Sequence, residues 1–163
     1  QEWMNLIYEI KTSFENINLG TASISSAQAL DTVIKLNLNY SMSPLFKKEL
    51  HVKAINNNQL LIPGISSIKH LTDAIHLGYK VIKIFPAAKL GFNFLKKIKE
   101  FKKNDVFFIG AGGIKSKDIT KWLEKGYNAI AIGRELPNQK IDKNLEIWLE
   151  GYKINRLQIN KNL

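Results

Sequence analysis

Apolar positions along this chain change period repeatedly, from short unbroken runs to residues spaced three and four apart. The runs read as buried strands and the spaced positions as amphipathic helices. Trp3, Leu6, Ile7 and Ile10 predict a helix over residues 2–12. A short strand over 17–22 ends at Gly20-Thr21. Ser25 or Ser26 then caps a helix whose inner face is Leu30, Val33 and Ile34. A weaker strand over 38–42 leads to Ser43-Pro44, which reads as an N-cap with proline in the first turn, before Leu45, Phe46 and Leu50. Leu60-Leu61-Ile62-Pro63-Gly64 is a third strand with a break at its end. Ser66 or Ser67 caps a helix carrying Ile68, Leu71 and Ile75, closed by Gly78. Val81-Ile82-Lys83-Ile84-Phe85-Pro86 is the fourth strand, followed by a helix with Phe92, Leu95, Ile98 and Phe101. The fifth, from Val106 to Ile109, runs into Gly110-Ala111-Gly112-Gly113. Ser116 starts a helix with Ile119, Trp122 and Leu123, stopped by Gly126. Residues 129–133 are the sixth strand, and Leu145, Trp148, Leu149 and Tyr152 mark a last helix.

Strands alternating with helices at intervals of roughly twenty to twenty-five residues predict repeated βα units. Their strands are apolar on both faces, so the sheet is parallel and covered. A doubly wound open sheet and a βα-barrel both fit, and both hold their sites at the strand C-termini. The unusual residues gather there all round: Gly20-Thr21, Ser43-Pro44, Pro63-Gly64, Lys83 with Phe85-Pro86, Gly112-Gly113 and Gly133-Arg134. That distribution favours an α/β fold of the (β/α)8 TIM-barrel type, truncated here to about six strands, as one domain over residues 1–163. A full barrel needs about eight strands. The expectation is that the other two precede Gln1.

Lys83 is the one charged residue in an otherwise apolar strand. It either sits at the strand end and snorkels into water, or it is buried. A buried ammonium without a partner is costly. It relieves that cost by losing its proton, which leaves a free amine able to attack a carbonyl.

Composition narrows the field. With 163 residues, 45% of them hydrophobic, one soluble domain with a real core is expected. There are no cysteines, which removes disulfides and thiolate chemistry and fits a reducing compartment. No apolar run approaches the roughly 18 residues that cross a bilayer. We therefore expect no membrane partner and a location in the cytoplasm or an organelle stroma or matrix. The formal charge of +10 comes from scattered lysines without a dense basic block, so nucleic acid is not an expected partner. A basic surface would attract anionic metabolites instead.

Gly110-Ala111-Gly112-Gly113 lies between a strand and a helix. There, backbone N–H groups can converge on an anion, or glycine serves a tight turn alone. In barrels, phosphate commonly binds after the last two strands. Here those strands end at Gly112-Gly113 and at Gly133-Arg134. His51, His70 and His76 read as surface residues away from the strand ends, with no metal trio. Ser66 and Ser67 read as caps, not nucleophiles. What remains is an amine facing an anion site, which suits a phosphorylated carbonyl substrate.

At these residues the sequence resembles the 2-keto-3-deoxy-6-phosphogluconate (KDPG) and 4-hydroxy-2-oxoglutarate (KHG) aldolases. The strongest segment is Gly78-Tyr79-Lys80-Val81-Ile82-Lys83-Ile84-Phe85-Pro86-Ala87. Pro63-Gly64-Ile65-Ser66, Gly20-Thr21, Ser43-Pro44 and Gly112-Gly113-Ile114 follow in order and spacing. The resemblance implies a class I aldolase on a βα-barrel, usually a homotrimer, with no metal or cofactor. Lys83 would form the iminium, Thr21 would help hold the pyruvate part, Pro44 and Phe85 would line the pocket, and Gly112 and Gly113 would hold phosphate. The products would be pyruvate with glyceraldehyde 3-phosphate or glyoxylate. The chain departs from the family in three places. Nothing matches the catalytic glutamate and carboxylate-gripping arginine of the second strand. Ala111 stands where threonine is frequent, and Arg134 where serine contacts phosphate. These departures support an alternative, a degenerate phosphosugar-binding barrel without catalysis.

Overall fold

The computed structural model describes residues 2–14, 18–98, 105–133 and 142–151. Its strands are β1 (Gly20–Thr21), β2 (Tyr40–Met42), β3 (Leu61–Ile62), β4 (Gly64–Ile65), β5 (Val81–Ile84), β6 (Phe107–Ala111) and β7 (Ala129–Ala131). The helices are α1 (Glu2–Ser13), α2 (Ala27–Lys35), α3 (Lys48–Asn56), α4 (Ile68–His76), the short α5 (Ala87–Leu90) and α6 (Phe94–Lys97), α7 (Ile119–Glu124) and α8 over residues 143–151.

Every pairing is parallel, in the order β1-β2-β3 and β4-β5-β6-β7. The two groups are one predicted strand interrupted by Pro63, which has no N–H for the ladder. Continuity survives because the Lys83 N–H donates to the Pro63 carbonyl at 2.9 Å and the Phe85 N–H to Ile65 at 2.9 Å. Each strand therefore neighbours the next one in sequence, with no reversal of order. A doubly wound sheet would show a reversal at its switch point. The sequential order is that of a βα-barrel, here with six consecutive strand positions.

Alternation along the strands separates a helix-facing layer from an inner row. Leu61 packs with Leu30, Val33, Leu38, Leu50 and Ala54 beneath α2 and α3. Ile82, Ile84 and Phe108 pack with Ile65, Leu71, Leu95 and Trp122 beneath the later helices. Fully burying each large side chain stabilises the fold by about 1.5–3 kcal/mol. The opposite parity places Gly64, Lys83, Ile109 and Ala129 side by side in one inner row.

The expected caps form where side chains can reach. The Ser26 Oγ accepts the Ala29 N–H at 3.2 Å, and the Ser67 Oγ accepts that of His70 at 3.3 Å. Other expectations shift. Leu6 on α1 is 55% exposed, while Ile7 packs against the buried cluster beneath α2 and α3; the Trp3 side chain lies outside the described residues. The single helix expected after β5 is two short helices, because Gly91 at φ +81° and ψ 161° cannot continue α5. Phe101 and Tyr152, assigned to helix faces, lie outside the described residues.

Candidate active site

The Lys83 side chain does not reach bulk water. It is 4% exposed, in the centre of the inner row. Its Nζ lies 5.1 Å from the centroid of the Phe85 ring and makes no hydrogen bond or ion pair with a described residue. Burial lowers its pKa from 10.5 to about 8. That shift corresponds to roughly 3 kcal/mol, more than the ~1 kcal/mol an aromatic ring returns to an ammonium. Desolvation therefore wins. At pH 7 roughly a tenth of the amine is unprotonated, against about one part in three thousand for an ordinary lysine.

Phe85 stands two residues beyond Lys83, and its ring continues to the glycine loop. A Cβ on Gly112 would lie 2.7 Å from that ring, and Gly112 has φ +90°. Both the backbone and the contact therefore demand glycine. Gly113, at φ +74°, abuts Ala88, while the Gly112 carbonyl accepts the Ala88 N–H at 3.1 Å. This joins the loop to the segment that follows Lys83. On the other flank, Gly64 is in register with Lys83, and a Cβ there would overlap the Ser43 and Pro44 carbonyls. Pro44, Gly64, Lys83, Phe85, Gly112 and Gly113 thus form one continuous chain of contacts and strand pairings.

Thr21 is not gathered into it. It shares its row with Ser41 and Leu61, and Leu61 faces the helices. Arg134 lies outside the described residues. Ser43 corrects the capping expectation: α3 begins later, with Lys47 as its N-cap, and Ser43 is buried. Its Oγ instead accepts the Gly64 N–H at 3.2 Å.

His51 overturns the surface assignment. It is 0% exposed, stacked on Phe46 at 4.9 Å, with Nε2 3.2 Å from the Ser43 Oγ and Nδ1 2.8 Å from the Tyr79 hydroxyl. Burial lowers its pKa to about 4 and raises that of Tyr79 to about 12. His70 is half-buried, its Nδ1 unpartnered among the described residues, and His76 is exposed as expected. No local sequence signal marks the His51–Tyr79 pair, whose members lie 28 residues apart. Among the described residues no cluster of metal-ligating side chains forms, and no helix is long and apolar enough to cross a membrane.

At the far end of the loop, the Ser116 hydroxyl donates to Asp142, whose other oxygen accepts the Leu145 N–H at 2.9 Å and so caps α8. These bonds hold the Asp142 carboxyl below its usual range, the one from Ser116 most.

The chain matches the family described as KDPG and KHG aldolase over residues 2–147. It belongs to that family. Among curated members, a 2-dehydro-3-deoxy-6-phosphogalactonate aldolase of Escherichia coli is 20% identical over 118 residues, 72% of this chain and 58% of that protein. A 2-dehydro-3-deoxy-phosphogluconate aldolase of Pseudoalteromonas atlantica is 30% identical over 122 residues, 74% of this chain and 56% of that one. The chain therefore spans less than two thirds of these relatives. Among solved aldolases, that of Legionella pneumophila, with pyruvate captured as a covalent carbinolamine, has a TM-score of 0.71 at 25% identity, covering 78% of this chain and 62% of that one. The Zymomonas mobilis KDPG aldolase with 3-phosphoglycerate has a TM-score of 0.74 at 22% identity, covering 88% and 70%. The KDPG and KHG aldolase fold thus accounts for the strand order, and Lys83 is the buried amine at its centre.

Proposed function

We propose that the chain is the Lys83-bearing part of a class I aldolase acting on KDPG, on KHG, or on both. The observation that carries this reading is the amine of Lys83, buried, unpaired by any described residue and lowered to about 8. The free Nζ attacks the C2 carbonyl of the keto acid to give a carbinolamine, and loss of water leaves an iminium. As the C4 hydroxyl proton passes to a base, the C3–C4 bonding pair flows into the iminium. The aldehyde departs, glyceraldehyde 3-phosphate from KDPG or glyoxylate from KHG. The enamine takes a proton at C3, and water releases pyruvate and the amine. The carbinolamine captured in the Legionella enzyme supports such a path in a relative.

In this reading Pro44 and Phe85 wall the pocket and Gly112 and Gly113 offer backbone N–H groups to the phosphate, with Arg134 as a further contact. Residues 1–163 form one barrel domain, in a homotrimer of the cytoplasm or an organelle stroma or matrix. Borohydride reduction with pyruvate tests the chemistry. Expected is a stable adduct on Lys83, absent in Lys83→Ala; no adduct on the full-length protein overturns the reading.

One observation favours a second reading. No described carboxylate is hydrogen-bonded or ion-paired to Lys83, and the geometry assigns no proton acceptor for the C4 hydroxyl. A phosphosugar-binding barrel without turnover would bind 3-phosphoglycerate by calorimetry while leaving KDPG intact.

A further inference from the structure

The side chains behind the site form one directed hydrogen-bond chain. Tyr79 keeps its proton, since burial raises its pKa to about 12, and the His51 Nδ1 at 2.8 Å is the acceptor the described residues offer its hydroxyl, which therefore donates there. His51 is neutral, its pKa lowered to about 4, so its remaining proton is on Nε2. That nitrogen donates to the Ser43 Oγ at 3.2 Å. The same oxygen accepts the Gly64 N–H at 3.2 Å, and its own proton points to the Ile62 carbonyl at 3.5 Å. In the reverse direction Ser43 would donate to Nε2 and Nδ1 to Tyr79, leaving the tyrosine proton without an acceptor among the described residues, so the Nε2–H tautomer is the one that satisfies every member. Its end is the backbone of Gly64, the in-register neighbour of Lys83, pressed against the Ser43-Pro44 carbonyls.

We infer that His51, held in one tautomer by Tyr79, is a positioning residue: through Ser43 it locks the Pro44 and Gly64 walls against Lys83 and keeps water from the amine. The catalytic value of that lock rests on the aldolase reading, while the lock itself does not. Among the described residues, Tyr79 packs its ring on His51, and His70 packs on Phe46, which stacks on His51. The Lys53–Asp31 pair lies further along α3 at a half-exposed surface. No titratable side chain among the described residues is hydrogen-bonded or ion-paired to Lys83.

The test measures the amine directly, as the pH dependence of Lys83 acylation by a small anhydride, read by peptide mass spectrometry. Wild type should show a midpoint near 8. Tyr79→Phe, which deletes one oxygen, and His51→Leu should each raise it by about one unit or more. Pyruvate trapping at neutral pH should then slow by about tenfold. His51→Gln, which can still donate to Ser43, should restore much of the wild-type midpoint. Val33→Ala, a core truncation beneath α2, should lower the melting temperature without moving the midpoint. The inference is overturned if Tyr79→Phe and His51→Leu leave the midpoint unchanged, or if Val33→Ala moves it equally. If His51→Leu does not fold, Tyr79→Phe decides. A shifted midpoint in a protein that never traps pyruvate would sink the aldolase reading and leave the lock standing.

Discussion

The Lys83 amine and the Phe85 ring occupy the same side of the chain, with nitrogen and ring centroid 5.1 Å apart. Gly112 also lies against that ring. One aromatic side chain thus separates the proposed nucleophile from the proposed phosphate loop, and sets the length of substrate that can touch both. Replacing Phe85 with leucine should spare the amine and loosen that spacing. We expect pyruvate trapping within a fewfold of wild type, with phosphorylated ligands bound roughly tenfold more weakly. That corresponds to about 1.4 kcal/mol, and calorimetry with 3-phosphoglycerate would check it.

Lys83 also makes stability depend on pH. Its folded pKa lies near 8 and its unfolded value near 10.5. Between them the unfolded chain holds the extra proton, so stability rises with pH across that window and is flat in this term below it. Urea titrations should show wild type gaining up to roughly 3 kcal/mol relative to Lys83→Met between pH 8 and pH 10.5. An identical pH slope in the two proteins would mean the amine is not buried.

His51 behaves likewise in acid. Its pKa falls from 6.5 in the unfolded chain to about 4 when folded. The unfolded chain therefore binds the proton first, and stability is lost as pH falls from 6.5 towards 4. The loss should reach about 3 kcal/mol and be absent in His51→Gln, measured as the difference between their urea midpoints.

Gly112→Ala should fail for two reasons at once, the positive φ and the Phe85 ring 2.7 Å from the new carbon. We expect a destabilisation of about 1–3 kcal/mol by chemical denaturation. Phosphate-bearing ligands should be lost while pyruvate trapping persists. Trapping lost in step with stability would show instead that the loop merely folds the barrel.

Ser116→Ala removes the largest cause of the low Asp142 pKa. NMR titration of the carboxylate should show that value rising towards the ordinary aspartate range, with the Leu145 N–H losing protection as its cap weakens.

Much of this was legible along the chain because local chemistry forced it. A lysine inside a β-branched run, a proline within a strand and serines three residues before a helical N–H announce their environments through neighbours alone. His51 and Ser43 did not. His51 follows Leu50 on a helix whose pattern gives no reason to bury an imidazole. Its partners, Ser43 and Tyr79, lie 8 and 28 residues away and meet it only after the strands align. Thr21 shows the opposite failure: the motif placed it at a strand end, but register turned it towards the helices. Position along a strand is a local property, whereas facing depends on the partner strand.

Pro63 gives the molecule a seam. Leu61 on one side of it belongs to one buried cluster and Ile65 on the other side to the second, and the strand ladders divide between them. Breathing motions should open along this line first, so slow amide exchange would fall into two blocks, residues before it and residues after it, each with its own protection.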